Sequence, residues 1–290
     1  MNQTKCFFVT DLHGDIVKYN KLFKYIIKKT PEIIFVGGDI LPSAFSCLTN
    51  NNHKNYDNFI NDFLSPQLFI LRKKLKKQYP KIYLILGNDD PKINEVHLIE
   101  AEKKGLWNYI HFKKTQLYNY NIFGYSYIPP TPFLFKDWEK YDVSQYVDPG
   151  CIHPYEGYRS EKIPENIIKH STISNDLEIL TKGDKFINSI FLFHAPPHNT
   201  NLDYAALDGK MIDHVQLDVH VGSIAIRRFI ENNKPLLTLH GHIHESASIT
   251  KSWKDKINET HCFSAAHNGK ELAIVEFNLD KLDQAKRILI

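Results

Sequence analysis

The chain has 290 residues, of which 42% are hydrophobic and 12% aromatic, enough apolar side chain to bury a full core and to set disorder aside as the default state. Its 36 basic and 33 acidic residues leave a formal charge of +3, too even a balance to mark a dedicated binder of nucleic acid or membrane surface. No apolar run approaches the roughly 20 residues that span a bilayer, and no repeat or Gly/Ser linker divides the sequence, so one domain over residues 1–290 is expected.

In chain order, residues 6–10 (CFFVT) predict a first strand and 17–29 a helix. Residues 33–36 (IIFV) predict a second strand, 56–79 a helix, 82–86 (IYLIL) a third strand and 114–127 a hairpin region. From about 126 to 165 the sequence is rich in proline and aromatics with little periodicity, and reads as an irregular insert. A helix over 167–180, a strand over 190–193 (IFLF), a helix over 223–232 and a strand over 236–239 (LLTL) complete the series. The strands are short and do not alternate apolar with polar, as in a sheet covered on both faces, and their order with the helices is that of an α/β chain.

The residues at the ends of the strands decide the chemistry. The five runs end in Asp11-Leu-His13, Gly-Gly-Asp39, Gly-Asn88-Asp89-Asp90, His194-Ala-Pro-Pro and His240-Gly-His242-Ile-His244. The carboxyl ends of parallel strands line one crevice, so these distant groups should converge. Asp11 with His13, and His242 with His244, are two apart and project to one side of extended backbone. Any one piece has a bland explanation as a hydrogen-bonded structural residue; five at the same kind of strand end point to a metal site. Imidazole and carboxylate donors suit manganese, iron, zinc or cobalt better than magnesium.

As a set, D-x-H, G-D, G-N, a lone His and G-H-x-H in that order resemble the calcineurin-like metallophosphoesterase superfamily, in blocks from Cys6 to about Ser246. The resemblance implies two mixed β-sheets packed as a sandwich and flanked by helices, with tail strands such as residues 272–277. It implies two divalent ions, one held by Asp11, His13 and His244, the other by Asn88, His194 and His242, with Asp39 between them. The implied reaction is hydrolysis of a phosphate ester by in-line attack of a hydroxide shared by ions about 3.5–4 Å apart, with Asn88 and His242 beside the phosphoryl group. The segment HAPPHNTNLDYAALDG with LLTLHGHIHES is similar to uncharacterised bacterial and archaeal phosphoesterases related to cyclic-nucleotide phosphodiesterases, which makes a phosphodiester or nucleotide the expected substrate.

The sequence departs from the family at Asp89, where a histidine that protonates the leaving group is common. Three readings stay open: Asp89 is the acid, another histidine (His198 or His220, with His153 more distant) supplies the proton, or the leaving group needs little help. Asp15 and Asp90 stand to orient ligands, although a helix cap serves equally for Asp15. Trp138, Tyr141, Tyr155 and Tyr158 either shape a pocket or pack the insert, and the polar residues 43–55 are candidates for the opposite rim. A nuclease is the nearest rival, weakened because FILRKKLKKQYPK is the one concentrated basic run and fits a helix face. A non-catalytic protein-binding scaffold is the other. Scattered Cys6, Cys47, Cys151 and Cys262, and an opening that leaves no room for a signal peptide, lead to a cytoplasmic expectation.

Overall fold

The computed structural model describes residues 4–43 and 58–290. β1 (Lys5–Val9) leads through α1 (Ile16–Lys29) to β2 (Ile33–Gly37), α2 (Ser65–Leu75) precedes β3 (Lys81–Ile85), and α3 (Glu95–Lys103) precedes the short β4 (Asn108–Tyr109). The hairpin of β5 (Lys113–Leu117) and β6 (Tyr120–Tyr125) comes after it, then α4 (Glu165–His170), α5 (Ile173–Leu180), β7 (Ser189–Phe193) and a small ribbon, β8 (Met211–Ile212) with β9 (Val215–Gln216). Next come α6 (Ile224–Asn233), β10 (Leu237–His240), α7 (Ser246–Thr250), β11 (Lys254–Ile257), β12 (Thr260–Ser264), β13 (Ala273–Asn278) and β14 (Lys286–Leu289).

Among the described residues these strands build two six-stranded sheets, ordered β14-β13-β1-β2-β3-β4 and β11-β12-β10-β7-β6-β5. β1 to β4 run parallel in one, and β6, β7, β10 and β12 run parallel in the other. Antiparallel pairing adds β13 and β14 to the first sheet and β5 and β11 to the second. The architecture is mixed α/β, two mixed sheets flanked by helices. No helix of the described residues is long and apolar enough to cross a membrane.

Side-chain alternation explains why the strand sequences read as unbroken apolar runs. Cys6 and Phe8 of β1 point between the sheets with Ile33, Phe35, Leu192, Leu239 and Phe277, while Phe7 and Val9 point outward against the helices. The other sheet repeats this: Ile190 and Leu192 face inward, and Phe191 and Phe193 meet Phe229 of α6 with ring centroids 4.9 and 6.4 Å away. Both faces of each central strand are dry, so neither face needs polar residues.

The helices differ from the sequence reading at their breaks. The expected helix over 56–79 begins outside the described residues; within them a π-helical turn, Ile60–Leu64, passes into α2, which stops at Leu75. Pro66 lacks the N–H that would continue either ladder from the preceding turn, which places the change of winding there. The expected helix over 167–180 is two helices, because Thr172 turns to extended backbone and accepts the Asn175 N–H as the cap of α5. α3 escaped the periodicity because Val96 and Ile99 stay exposed while Leu98 and Ala101 are buried, so no apolar stripe stands out.

Within residues 126–165, Trp138 is fully buried, donates from Nε1 to the Asp90 carbonyl at 2.8 Å and meets His111 edge-on at 4.7 Å. Tyr141 is buried too, its hydroxyl 2.8 Å from His153 Nδ1. Trp138 fastens the segment to the core, whereas Tyr141 ties two parts of the segment to each other. Tyr155 stacks on His153 at 5.2 Å and Tyr158 is exposed. The same segment holds a wholly buried ion pair, Lys136 Nζ to Glu139 Oε2 at 2.5 Å, with the Glu139 carboxylate also accepting the N–H and hydroxyl of Thr131. Burial lifts the Glu139 carboxyl to about 7 against the pull of Lys136 and Thr131. Removing one partner strands a charge in the interior, so Lys136→Met should cost about 3–5 kcal/mol in urea unfolding, and adding Glu139→Gln should restore most of it. An unchanged midpoint for Lys136→Met would show that the pair does not hold this segment.

Candidate metal centre

The loops that leave the parallel strands at their carboxyl ends meet where the two sheets abut. Asp11 lies just beyond β1, Asp39 beyond β2, Asn88 beyond β3, His194 beyond β7, and His242 and His244 beyond β10. Backbone bonds between neighbouring loops fix their heights: Asp11 N–H donates to the Gly38 carbonyl at 3.0 Å, His13 N–H to Asp39 O at 2.8 Å, and Gly241 N–H to His194 O at 2.9 Å. Asp11, His13, Asp39 and His242 all hold positive φ, from 45° to 71°, a region that side-chain-bearing residues seldom enter. Such strain persists only where surrounding structure imposes it, and it gathers at functional sites.

The seven sequence-predicted donors form one linked set. His13 Nε2 lies 3.3 Å from His244 Nε2 and 3.8 Å from Asp39 Oδ2, and His244 Nε2 lies 3.3 Å from Asp11 Oδ1. These four residues, Asp11, His13, Asp39 and His244, make a group able to hold a metal ion. On the other side of Asp39, His194 Nε2 stands 3.4 Å from Asp39 Oδ2 and 2.9 Å from Asn88 Oδ1, with the His242 ring 5.3 Å from the His194 ring. Two donors each about 2.1 Å from a common ion lie about 3.0–3.4 Å apart at ordinary coordination angles. The measured spacings cluster around that requirement on both sides of Asp39.

The electrostatics explain why opposite charge is required here. Asp11 and Asp39 are almost completely buried. Burial raises both carboxyls, yet His244 and His194 outweigh it at Asp11, and His194 and His13 outweigh it at Asp39, so both are held below the usual range. The compensating charge sits on imidazoles. Burial opposes protonation of His13 and His194, but Asp89, Asp39 and Asp11 around the first, and Asp39, Asp11 and the Gly37 carbonyl around the second, lift each to about 9. His242 goes the other way, to about 3, under burial and the nearby His194. Without an ion, protons on the imidazoles balance the carboxylates; a divalent cation would supply that charge in their place.

Neighbouring groups fix the orientation of these donors. The Gly37 carbonyl accepts from His194 Nδ1 at 2.8 Å, which turns Nε2 toward Asn88 and Asp39. Asp90 is wholly buried and accepts from the backbone N–H groups of Ile40, Leu41 and Gly87, tying the loop after β2 to the loop after β3. Asp15 caps α1 through Val17 and Lys18, the cap alternative of the sequence reading. Gly38 at φ 99° and Gly87 let these loops close: a Cβ on Gly87 would stand 2.6 Å from His194 Cε1 and press on Asp39.

Other candidates lie outside the linked set. His198 Nε2 is 3.3 Å from Asp218, and His220 Nδ1 is 2.9 Å from the buried Asp203, which also receives four bonds from Asn199, Thr200 and Gly222. Among the described residues no hydrogen bond or ion pair joins His198, His220 or His153 to the seven donors. Residues 44–55 of the expected rim lie outside the described residues; Ser43 donates to Asp89 Oδ1 at 3.0 Å. His240 heads the same His-Gly-His-Ile-His run but lies outside the seven donors. It is fully buried, bonds Ala195 O at 2.9 Å and Thr238 Oγ1 at 2.7 Å, and braces β10 against the loop that carries His194.

Residues 4–246 match the family described as Calcineurin-like phosphoesterase, and the chain belongs to that metal-dependent hydrolase family. A stretch of 95 residues is 39% identical to the uncharacterized protein MJ1162 of Methanocaldococcus jannaschii, covering 32% of this chain and 40% of that protein. One solved structure superposes with a TM-score of 0.60 at 15% identity, and TT1561 of Thermus thermophilus with 0.56 at 14%, each across 99% of both chains. At such identity the likeness concerns the fold.

Two expectations come from the geometry. Gly87→Ala should keep the far-ultraviolet circular dichroism of the parent while lowering bound metal, because the added methyl displaces Asp39 and His194; metal analysis of the two proteins side by side decides it. Metal uptake at about pH 7 should expel protons from His13 and His194, since both carry them below about 9, and affinity should weaken as pH falls. Calorimetry in buffers of different ionisation enthalpy reads this directly, and heats independent of buffer would contradict it.

Proposed function

We propose that the protein is a dinuclear phosphoesterase that hydrolyses a phosphodiester or nucleotide. The observation that carries the reading is the gathering of seven donors, the shared Asp39 carboxylate among them. Six of them are linked at spacings from 2.9 to 3.8 Å, and the His242 ring lies 5.3 Å from that of His194. In this reading Asp11, His13 and His244 hold one divalent ion, Asn88, His194 and His242 hold the other, and Asp39 serves both. Mn, Fe, Zn or Co suits the mixed nitrogen and oxygen donors. When bound, two such ions supply Lewis acidity toward phosphoryl oxygens and an acidified water.

The chain's own groups supply the remainder. Asn88 presents Oδ1 to His194, which leaves its amide N–H groups for a phosphoryl oxygen. His242 stays neutral, with its lone pair available, and the residue is partly exposed to an incoming ester. Few arginines compete for the phosphate, so the metal centre itself is the main anchor for anionic substrate. Preference for a diester rests on the resemblance of the segment from His194 to Ser246 and is the finer part of the proposal. The whole chain acts as one domain in the cytoplasm, with residues 126–165 as a wall beside the centre.

A nuclease is less favoured, because the basic run of α2 leads into the amino end of β3, opposite the strand ends that carry the donors. Manganese-loaded protein should hydrolyse bis-p-nitrophenyl phosphate faster than p-nitrophenyl phosphate. Asp39→Asn should lose metal and turnover by more than the roughly 10–100-fold typical of losing an outer partner. Full activity in Asp39→Asn, or none in the loaded parent, would overturn the assignment.

A further inference from the structure

The family's usual histidine after Gly-Asn is Asp89 here, and its surroundings give it a definite task. Its backbone N–H donates to Asp39 Oδ1 at 2.8 Å, which fixes its main chain to the shared carboxylate. Its side chain then turns toward the loop after β1, where Oδ2 lies 3.2 Å from His13 Nδ1 while Oδ1 accepts from Ser43 Oγ at 3.0 Å. Both carboxylate oxygens are thus engaged as acceptors within the protein. The opposite nitrogen of the same ring, His13 Nε2, faces His244 and Asp39.

We propose that Asp89 is a positioning residue for His13, holding Nδ1–H so that Nε2 presents its lone pair to the ion shared with Asp11 and His244. The proposal rests on the metal-centre reading above and removes Asp89 from the role of leaving-group acid. The physical need for such a partner is specific to His13. Its side chain keeps 28% of its surface exposed, whereas His194 is sealed in and already oriented by the Gly37 carbonyl. An imidazole with open space around it can rotate or swap tautomer unless its second nitrogen is held, and a carboxylate does this while raising the basicity of the coordinating nitrogen. The chain therefore has two orienting devices of different kind, a backbone carbonyl for the buried ligand and a carboxylate side chain for the exposed one.

The test uses the full chain, stripped of metal and titrated with Co2+, read by visible absorbance, which reports ligand number and symmetry, and by calorimetry. Parent protein is compared with Asp89→Ala, Asp89→Asn and Asp89→Glu, and thermal unfolding of the metal-free forms checks that each is folded. The expected result is that Asp89→Ala weakens uptake of one ion by about 10–100-fold and alters its absorbance band, leaving the other unchanged. Asp89→Asn, which can still accept from Nδ1–H, should fall between Asp89→Ala and the parent, and Asp89→Glu should recover part of the loss. At saturating Co2+, esters with good and poor leaving groups should be slowed alike. Parent-like affinity for both ions in Asp89→Ala, or selective slowing of poor leaving groups at saturating metal, would overturn the proposal. A parent that takes up a single ion refutes the two-ion reading separately, and the Asp89 proposal then stands or falls on that ion's affinity in Asp89→Ala.

Discussion

Two carboxylates, Asp11 and Asp39, are buried at the ends of adjacent parallel strands and kept ionised. Isolated charges in such a place cost several kcal/mol each, and the structure tolerates them only because positive or cation-binding groups close in from every side. Much of the local architecture is a consequence of that constraint. The left-handed backbone at Asp11, His13, Asp39 and His242, the glycines that let loops touch and the carbonyl that turns His194 all serve to bring imidazoles to these carboxylates. A site that needs cations to be stable is also a site that concentrates them.

The sandwich makes the gathering possible. Each sheet contributes parallel strands whose carboxyl ends point to the same edge, and the edge where both sheets meet receives loops from two directions. One sheet brings the oxygen donors Asp11, Asp39 and Asn88 with His13, and the other brings His194, His242 and His244. Asp39 lies between His13 and His194, one from each sheet, which is why a single carboxylate reaches the donors on both sides of it. Central strands buried on both faces give these loops rigid bases, so the donors are held by the core.

A second tier of polar residues maintains the first. Asp90 uses its carboxylate to join two loops by three backbone N–H groups, and its own carbonyl takes the Trp138 indole, so residues 126–165 are fastened directly behind Asn88 and Asp89. Packing of the aromatic segment and placement of the gathered donors are therefore mechanically joined. Asp203 plays a comparable part beyond β7, collecting five hydrogen-bond donors from the loops that carry His198 and His220. Those histidines are committed to local carboxylates, which explains why their position in the sequence close to His194 did not bring them into the linked set.

The sequence by itself determined the α/β class, the central strands and the identities of the seven gathered residues, because a strand buried on both faces leaves an unbroken apolar run and a polar residue at its end breaks that run abruptly. It also showed the hairpin of β5 and β6 to within a residue or two, while the tail strand β13 was expected from the family resemblance. It did not reveal α3, the break between α4 and α5, or the strands β11, β12 and β14, where short elements lack a periodic face and are set by their neighbours. Only the tertiary structure decided which partners Asp89, Asp90, Asp15 and His240 meet. A carboxylate or imidazole has the same letter whether it caps a helix, ties two loops or orients a ligand, and its task is fixed by which groups from elsewhere in the chain come within about 3 Å of it.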